Sequence, residues 1–355
     1  MSALVETLTW LVDIPSETGQ EEAICRAVID RLSGTFGPEE FTRVGKSFVV
    51  GRRTGKPLVA LVGHVDTVPS QGQGPAEVRD GRLYGLGAAD MKGGLAVMVH
   101  LLEDPAVVHG AYDVIGVFYD AEEGPADRNG LEPTLQQVQW LSETWFAVVL
   151  EPCDRQIQIG CNGAINAEVT FEGASAHSAR PWWGENAVTK AGEWLAAMHR
   201  REPELFVVDG LEFREVMSVT KAAGGIANNI IPPEFTLNLN YRFNPTRTMD
   251  EAIQHLTTVC DAADRVEIVD AAPAGPVDAS HPLVNALATA SGSALASKQG
   301  WTDVARLGVH GIAGVNFGPG SAKQAHQVVE YVDLDDLDMV HSALRTVLTG
   351  ASSET

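Results

Sequence analysis

The sequence predicts an α/β fold in two parts. One part is a mixed sheet with helices on both faces, and the other is an inserted ferredoxin-like βαββαβ module. Three observations lead there. The runs at 58–63, 114–119 and 145–150 are apolar almost without interruption, the pattern of strands buried on both faces. Helix-length segments separate them, as in an open α/β sheet. Between 165 and 272 the order becomes strand, helix, two strands, helix, strand, which is the split βαβ arrangement.

Each element follows from local signals. Residues 2–13 and 20–34 read as helices, with Ser16-Glu17-Thr18-Gly19 as the turn between them. A strand near 47–52 precedes the buried strand 58–63, which runs into His64-Val65-Asp66-Thr67-Val68-Pro69. Gly-rich residues 70–84 read as loop and hairpin, and a helix spans 92–103. Strand 113–119 delivers Glu122 and Glu123. Residues 130–143 are helical, and strand 145–150 ends at Glu151-Pro152. In the module, strands at 165–173, 212–220, 234–243 and 265–270 alternate with helices at 185–200 and 249–263. An apolar run at 312–316 then leads into a Gly/Pro-rich loop carrying His326. The expected boundaries are 1–164 with 273–355 for the main domain, and 165–272 for the module.

Composition narrows the function. The 355 residues suffice for two domains. Hydrophobic content of 45% and charged content of 20% suit a soluble globular chain. A net charge of −22 argues against nucleic acid and membrane partners, whose binding is driven by basic patches. The four cysteines, Cys25, Cys153, Cys161 and Cys260, form no close pair, so a thiolate zinc site or redox motif is not expected. Dispersed free cysteines suit a reducing cytoplasm. The first residues lack the basic start of a signal peptide, and no apolar stretch approaches membrane-span length. The expected location is cytoplasmic.

The chemistry gathers around Asp120-Ala121-Glu122-Glu123-Gly124. Two adjacent carboxylates straight after a buried strand are costly unless they are solvated, paired or bound to metal. An isolated Glu-Glu pair is ordinarily a solvated loop, but here the design recurs. Three apolar runs end in a potential metal ligand: His64, Glu122/Glu123 and Glu151. Ligands of open α/β sheets collect at the carboxyl ends of strands. Asp90, at a helix start, can reach the same edge. A further histidine would come from His281, His310 or His326, and His326 follows a fourth strand-then-ligand pattern.

Five motifs in order resemble those of the co-catalytic zinc amidohydrolases and exopeptidases, across essentially the whole chain. They are Gly63-His64-Val65-Asp66-Thr67-Val68-Pro69, Gly87-Ala88-Ala89-Asp90-Met91-Lys92-Gly93-Gly94, Glu122-Glu123, Glu151-Pro152 and Ala325-His326. The resemblance implies that His64 and Glu151 hold one Zn2+, Glu123 and His326 a second, and Asp90 bridges them. Co2+ or Mn2+ would substitute. It implies that Asp66 orients His64 and that Glu122 is the general base. His177, in Gly173-Ala174-Ser175-Ala176-His177-Ser178, would stabilise the oxyanion across a homodimer interface built by the module, which acts as a lid. Asn229 would donate a hydrogen bond to substrate, Arg242 would bind a substrate carboxylate, and Thr302 would contact substrate. Trp182, Trp183, Asp303 and Arg306 receive no role.

Within the family, Glu151, the run Ala176-His177-Ser178-Ala179-Arg180-Pro181-Trp182 and Trp301-Thr302-Asp303-Val304-Ala305-Arg306 look most like bacterial succinyl-diaminopimelate desuccinylases. That implies hydrolysis of N-succinyl-LL-2,6-diaminopimelate to succinate and LL-2,6-diaminopimelate, on the route to lysine and cell-wall precursors. Ala121, Arg180-Pro181 and Gln327-Val328-Val329-Glu330 depart from many relatives without removing a ligand. The alternative of the same class is an acetylornithine deacetylase, another N-acyl amino acid hydrolase or a metallocarboxypeptidase. The alternative of another class is a catalytically silent relative that binds a small molecule. Retention of Glu122 and all five ligands argues against it.

Overall fold

The computed structural model describes residues 2–350. Chain order begins α1 (Ala3–Val12), α2 (Glu22–Leu32), β1 (Phe41–Val44), β2 (Ser47–Gly51), β3 (Leu58–His64), β4 (Glu77–Arg79), β5 (Arg82–Tyr84), α3 (Gly93–Glu103), α4 (Pro105–Val108), β6 (Asp113–Tyr119), α5 (Leu131–Gln137), β7 (Thr144–Pro152) and β8 (Ile157–Ile159). It continues β9 (Gly163–Glu172), α6 (Ala187–Lys190), α7 (Gly192–Arg200), β10 (Glu204–Val208), β11 (Leu211–Gly224), β12 (Glu234–Phe243), α8 (Met249–Val259) and β13 (Arg265–Ala272). It ends α9 (Pro282–Ser291), β14 (Leu295–Ser297), α10 (Val304–Val309), β15 (Gly314–Gly318), β16 (Tyr331–Asp333) and α11 (Leu334–Thr349). Two compact units result: Met1–Ile159 with Asp278–Ala296 and Arg306–Thr355, and Gly160–Val277 with Ser297–Ala305.

The first unit is built on a mixed eight-stranded sheet in the order β1-β2-β6-β3-β7-β15-β8-β14. Its centre, β6-β3-β7-β15, is parallel, while β1, β2 and β8 join antiparallel. Every residue of β3 and β6 is buried. Successive strand side chains point to opposite faces, so both faces are covered, and this is why these runs read as continuously apolar. The parallel register sets His64 beside Tyr119, bringing the ends of β3 and β6 level.

Close packing explains two glycines. A Cβ at Gly94, in the first turn of α3, would stand 2.4 Å from the main-chain oxygen of Leu150 on β7. A Cβ at Gly318 would meet the same oxygen at 2.0 Å. Glycine at these points lets α3 and β15 lie against the stretch of β7 that presents Glu151. The last helix, α11, buries Leu337, Val340, Ala343, Leu344, Val347 and Leu348, a stripe at helical spacing. Strands β16, β5 and β4 form a small separate sheet.

The second unit is an antiparallel sheet in the order β10-β11-β12-β9-β13. Leaving out β10, the order β11-β12-β9-β13 is the ferredoxin-like one expected from sequence. The extra edge strand β10 was not foreseen. It joins β11 through Asp209-Gly210, both at positive φ, which is the Asp-Gly hairpin signal. The helix expected over 185–200 divides at Ala191 into α6 and α7. On β12 burial alternates strictly, sending Phe235, Leu237, Leu239, Tyr241 and Phe243 into a core with Ile165, Phe171, Trp194 and Leu256.

Candidate metal centre

In the first unit, ends of parallel strands and the loops after them converge. His64 is the last residue of β3, Glu151 lies at the end of β7, Glu122 and Glu123 follow β6, and His326 lies in the loop after β15. Asp90 lies in the tight turn Ala88–Lys92 that leads into α3. His64 Nε2 is 3.1 Å from Asp90 Oδ1 and 3.5 Å from Glu151 Oε1. His326 Nε2 is 2.9 Å from Glu123 Oε2 and 3.8 Å from Asp90 Oδ2. Asp90 therefore turns one oxygen toward each imidazole.

Three trios of possible ligands have donor atoms within 4.8 Å of one another: His64-Asp90-Glu151, Asp90-Glu123-His326 and His64-Glu122-Glu123. The first two share only Asp90. The third overlaps both and brings Glu122 beside them.

The electrostatics are those of a cation site. His64 is fully buried, which disfavours its charged form. Hydrogen bonds to Asp66 and Asp90 and the charge of Glu151 outweigh that burial and push its pKa well above the ordinary value. Burial first, and the neighbouring Asp90 charge second, push the Glu123 carboxyl up. Surroundings that hold a proton on a buried imidazole favour a metal cation for the same reason. Two imidazoles and three carboxylates suit zinc and other divalent first-row metals. The donor set would suit two such ions, and Asp90 is common to the first two trios.

Comparison with known proteins gives the family. Residues 60–349 match the sequence profile of Peptidase family M20/M25/M40. The chain belongs to this family. Succinyl-diaminopimelate desuccinylase of Corynebacterium glutamicum is 35% identical over 350 residues, covering 96% of this chain and 94% of that one. A Mycobacterium tuberculosis protein, provisionally named for the same activity, is 36% identical over 349 residues, covering 98% of each chain. Among solved structures, a Staphylococcus aureus tripeptidase superposes with a TM-score of 0.79 at 22% identity, covering 98% of this chain and 97% of that one. A dinuclear metal binding M20 peptidase from Bacillus subtilis gives 0.72 at 15% identity, covering 98% and 96%. At these identities the two structures speak for the fold. The chain is thus an M20-family hydrolase of amide bonds.

Asp66 bonds both His64 and the loop that carries Glu122 and Glu123. His64 Nδ1 lies 3.0 Å from the main-chain oxygen of Asp66 and 3.4 Å from its carboxylate, so the carbonyl is the nearer acceptor. That bond leaves Nε2 facing Asp90 and Glu151. The Asp66 carboxylate is buried and accepts from Thr18 Oγ1 at 2.9 Å, the Glu122 N–H at 3.0 Å and the Glu123 N–H at 3.1 Å. Ala121 enables this with a left-handed φ of 57°, which a non-glycine residue adopts only at some cost. The turn aims two successive N–H groups at one carboxylate.

Two supporting residues were not singled out from sequence. Glu330 is buried and its carboxylate accepts from the N–H groups of Gly87, Ala89 and Asp90 at 2.8, 2.8 and 3.0 Å. Burial pushes its carboxyl up to about 7 despite those bonds. Lys92 is buried, donates to the Ile14 carbonyl at 2.8 Å, and is pushed down to about 8 by burial. Nothing local separates Glu330 from any other glutamate. Its only signal is closeness to His326.

The remaining expected site residues belong to the second unit. His177 and Asn229 are exposed on adjoining loops, joined by the Ser178 N–H to the Asn229 carbonyl at 2.9 Å. His177 Nδ1 accepts from the Ala179 N–H at 3.1 Å, which leaves Nε2 as the donor of a neutral ring. Arg242 lies half-exposed on β12. Thr302 is buried, and its hydroxyl has no hydrogen-bond partner among the described residues. Trp182 and Trp183 are 71% and 67% exposed, with the Arg180 guanidinium 5.0 Å from the Trp183 ring. Arg306, in the first unit, bonds Glu132 at 3.2 Å. Among the described residues no helix is long and apolar enough to cross a membrane.

Proposed function

We propose that this chain hydrolyses N-succinyl-LL-2,6-diaminopimelate to succinate and LL-2,6-diaminopimelate. The observation that carries the proposal is the 35% identity, over nearly the whole of both chains, to a succinyl-diaminopimelate desuccinylase. In this reading His64 and Glu151 hold one Zn2+, Glu123 and His326 hold the other, and Asp90 serves both. Bound zinc supplies Lewis acidity, lowering the pKa of water and polarising the scissile carbonyl.

The protein's own groups do the rest. Glu122 takes a proton from the attacking water and passes it to the leaving amine. Asp66 holds the Glu122 and Glu123 main chain so that base and ligand keep their spacing. His177 donates through Nε2 to the developing oxyanion from a second copy of the chain, with the inserted module forming the homodimer contact. Asn229, Arg242 and Thr302 contact the substrate, and Arg242 takes the succinyl carboxylate through its guanidinium fork. The enzyme works in the cytoplasm, and Co2+ or Mn2+ replaces zinc.

The test is turnover of N-succinyl-LL-diaminopimelate by zinc-loaded protein beside N-acetylornithine at equal concentration. Hydrolysis of the succinyl compound alone is expected. Hydrolysis of the acetyl compound alone would overturn the substrate and keep the mechanism. The shared site is tested by mixing His177→Ala with Glu122→Gln, each inactive alone. Partial recovery of activity is expected, and its absence would remove the donation between copies.

A further inference from the structure

The side chain that Arg242 meets is an amide. Alternation along β12 leaves Thr236, Asn238, Asn240 and Arg242 on the half-exposed face, opposite the core residues. The cross-strand neighbours of Arg242 are Ala164 on β9 and Val216 on β11, neither of which offers a side-chain acceptor. Its side-chain bond runs along its own strand: Nε donates to Asn240 Oδ1 at 3.1 Å. Among the described residues Arg242 forms no ion pair.

The amides continue as a directional chain. Asn240 Nδ2 donates to Asn166 Oδ1 at 2.9 Å. The same oxygen accepts from Asn238 Nδ2 at 3.3 Å, and that nitrogen lies 2.6 Å from Thr220 Oγ1. Asn166 Nδ2 reaches Asp270 Oδ2 at 3.5 Å. A carboxylate only accepts, so Asp270 draws the NH2 end of Asn166 and leaves its carbonyl for Asn240. Asn240 must then turn its NH2 to Asn166 and its carbonyl to Arg242. Orientation passes link by link from an acidic residue on β13 to the guanidinium on β12. With Nε engaged, the two terminal nitrogens keep the parallel N–H pair that a carboxylate binds.

We propose that Asn240 and Asn166 are positioning residues that hold Arg242 for the distal carboxylate of the acyl group. The proposal rests on the reading that Arg242 binds that carboxylate. Asn240 sets substrate preference without touching substrate, by fixing which edge of the guanidinium is free.

The experiment compares KM and kcat for N-succinyl- and N-butanoyl-LL-diaminopimelate, which differ in a carboxylate against a methyl. The inhibition constant of succinate gives a second readout of the same contact. Asn240→Ala is expected to raise KM for the succinyl substrate roughly tenfold, the scale of one hydrogen bond to a charged group, with kcat less affected. KM for the butanoyl substrate should hold, and succinate inhibition should weaken in parallel. Asn240→Asp should fail to rescue, because its carboxylate pairs with the guanidinium and neutralises it. Asn166→Ala should give a smaller change in the same direction, and it carries the test if Asn240→Ala loses its melting transition.

Equal effects on both substrates, or none, would overturn the positioning role. If an Arg242→Ala control then lost its preference for the succinyl compound, the reading of Arg242 would survive. An Arg242→Ala protein still selective for the succinyl compound would overturn both.

Discussion

Replacing Asp66 by Asn tests how the centre is held together. The Asp66 carboxylate accepts three hydrogen bonds, from Thr18 Oγ1, the Glu122 N–H and the Glu123 N–H, at 2.9, 3.0 and 3.1 Å. An asparagine keeps one oxygen and turns the other into an NH2. The Thr18 hydroxyl can rotate to accept from that NH2, but a main-chain N–H cannot. One of the two glutamate N–H groups therefore loses its acceptor, whichever way the amide turns. A hydrogen bond to a charged group contributes roughly 1.5–3 kcal/mol. Removing a group that orients metal ligands ordinarily costs about 10–100-fold in metal affinity or activity. At about 1.4 kcal/mol per tenfold the two figures meet. The assay is competition for zinc with a chromophoric chelator, run beside thermal melts of the metal-free protein. Zinc binding should weaken by about that 10–100-fold, and the metal-free melt should fall as well, because the lost hydrogen bond belongs to the fold with or without metal. Affinity and turnover both unchanged would refute the idea that Asp66 sets the spacing of Glu122 and Glu123.

Three further outcomes are expected. Glu122→Gln should lower turnover by roughly 10²–10⁴-fold, the scale of general base catalysis, with two zinc ions per chain still found by elemental analysis; loss of metal instead would mean that Glu122 is a ligand. Glu215 accepts from the Tyr241 hydroxyl, the Asn244 N–H and Nδ2, and Arg247 Nε, at 2.9, 3.1, 2.5 and 2.7 Å. Burial opposes its charge, but these bonds outweigh it and hold the carboxyl below its usual range. The stability it contributes is complete above the unfolded carboxyl value of about 4.3 and is lost as pH falls through the lower folded value. Glu215→Gln should therefore cost about 3 kcal/mol near neutrality, and its melting difference from wild type should shrink in acid; a constant difference would argue against the charge. Gly94→Val should abolish the soluble fold, because its Cβ would overlap the Leu150 oxygen, whereas Gly192→Ala, with nothing within 4 Å of the new Cβ, should gain roughly 0.5–1 kcal/mol in denaturant unfolding. A soluble, active Gly94→Val protein would show that α3 can shift off β7.

Much of this molecule is legible along the chain. A strand buried on both faces must be apolar at consecutive positions, so β3, β6 and β7 declare themselves, and the polar residue at each end marks the sheet edge. The mixed sheet and the ferredoxin-like order follow from such local periodicities. Strand β10 was missed: its turn signal, Asp209-Gly210, stands in the sequence, but its residues are mostly exposed and show no buried alternation.

Choice among chemically equal residues belongs to the tertiary structure. His281, His310 and His326 are the same side chain in sequence. In space His281 accepts from the Leu283 N–H and stacks on Phe146, and His310 meets Glu132, while His326 comes to 2.9 Å from Glu123. Glu330 resembles any glutamate until the Asp90 turn folds its N–H groups onto it. Asp66 reads as a partner of His64, yet its carboxylate mainly holds the loop of Glu122 and Glu123. Asn240 carries no sign that its carbonyl faces Arg242, since that direction is inherited from Asp270 two strands away. Burial repeats with the local period of the backbone and is written into neighbouring residues. A hydrogen-bond partner far along the chain is not, because only folding brings the two groups within reach.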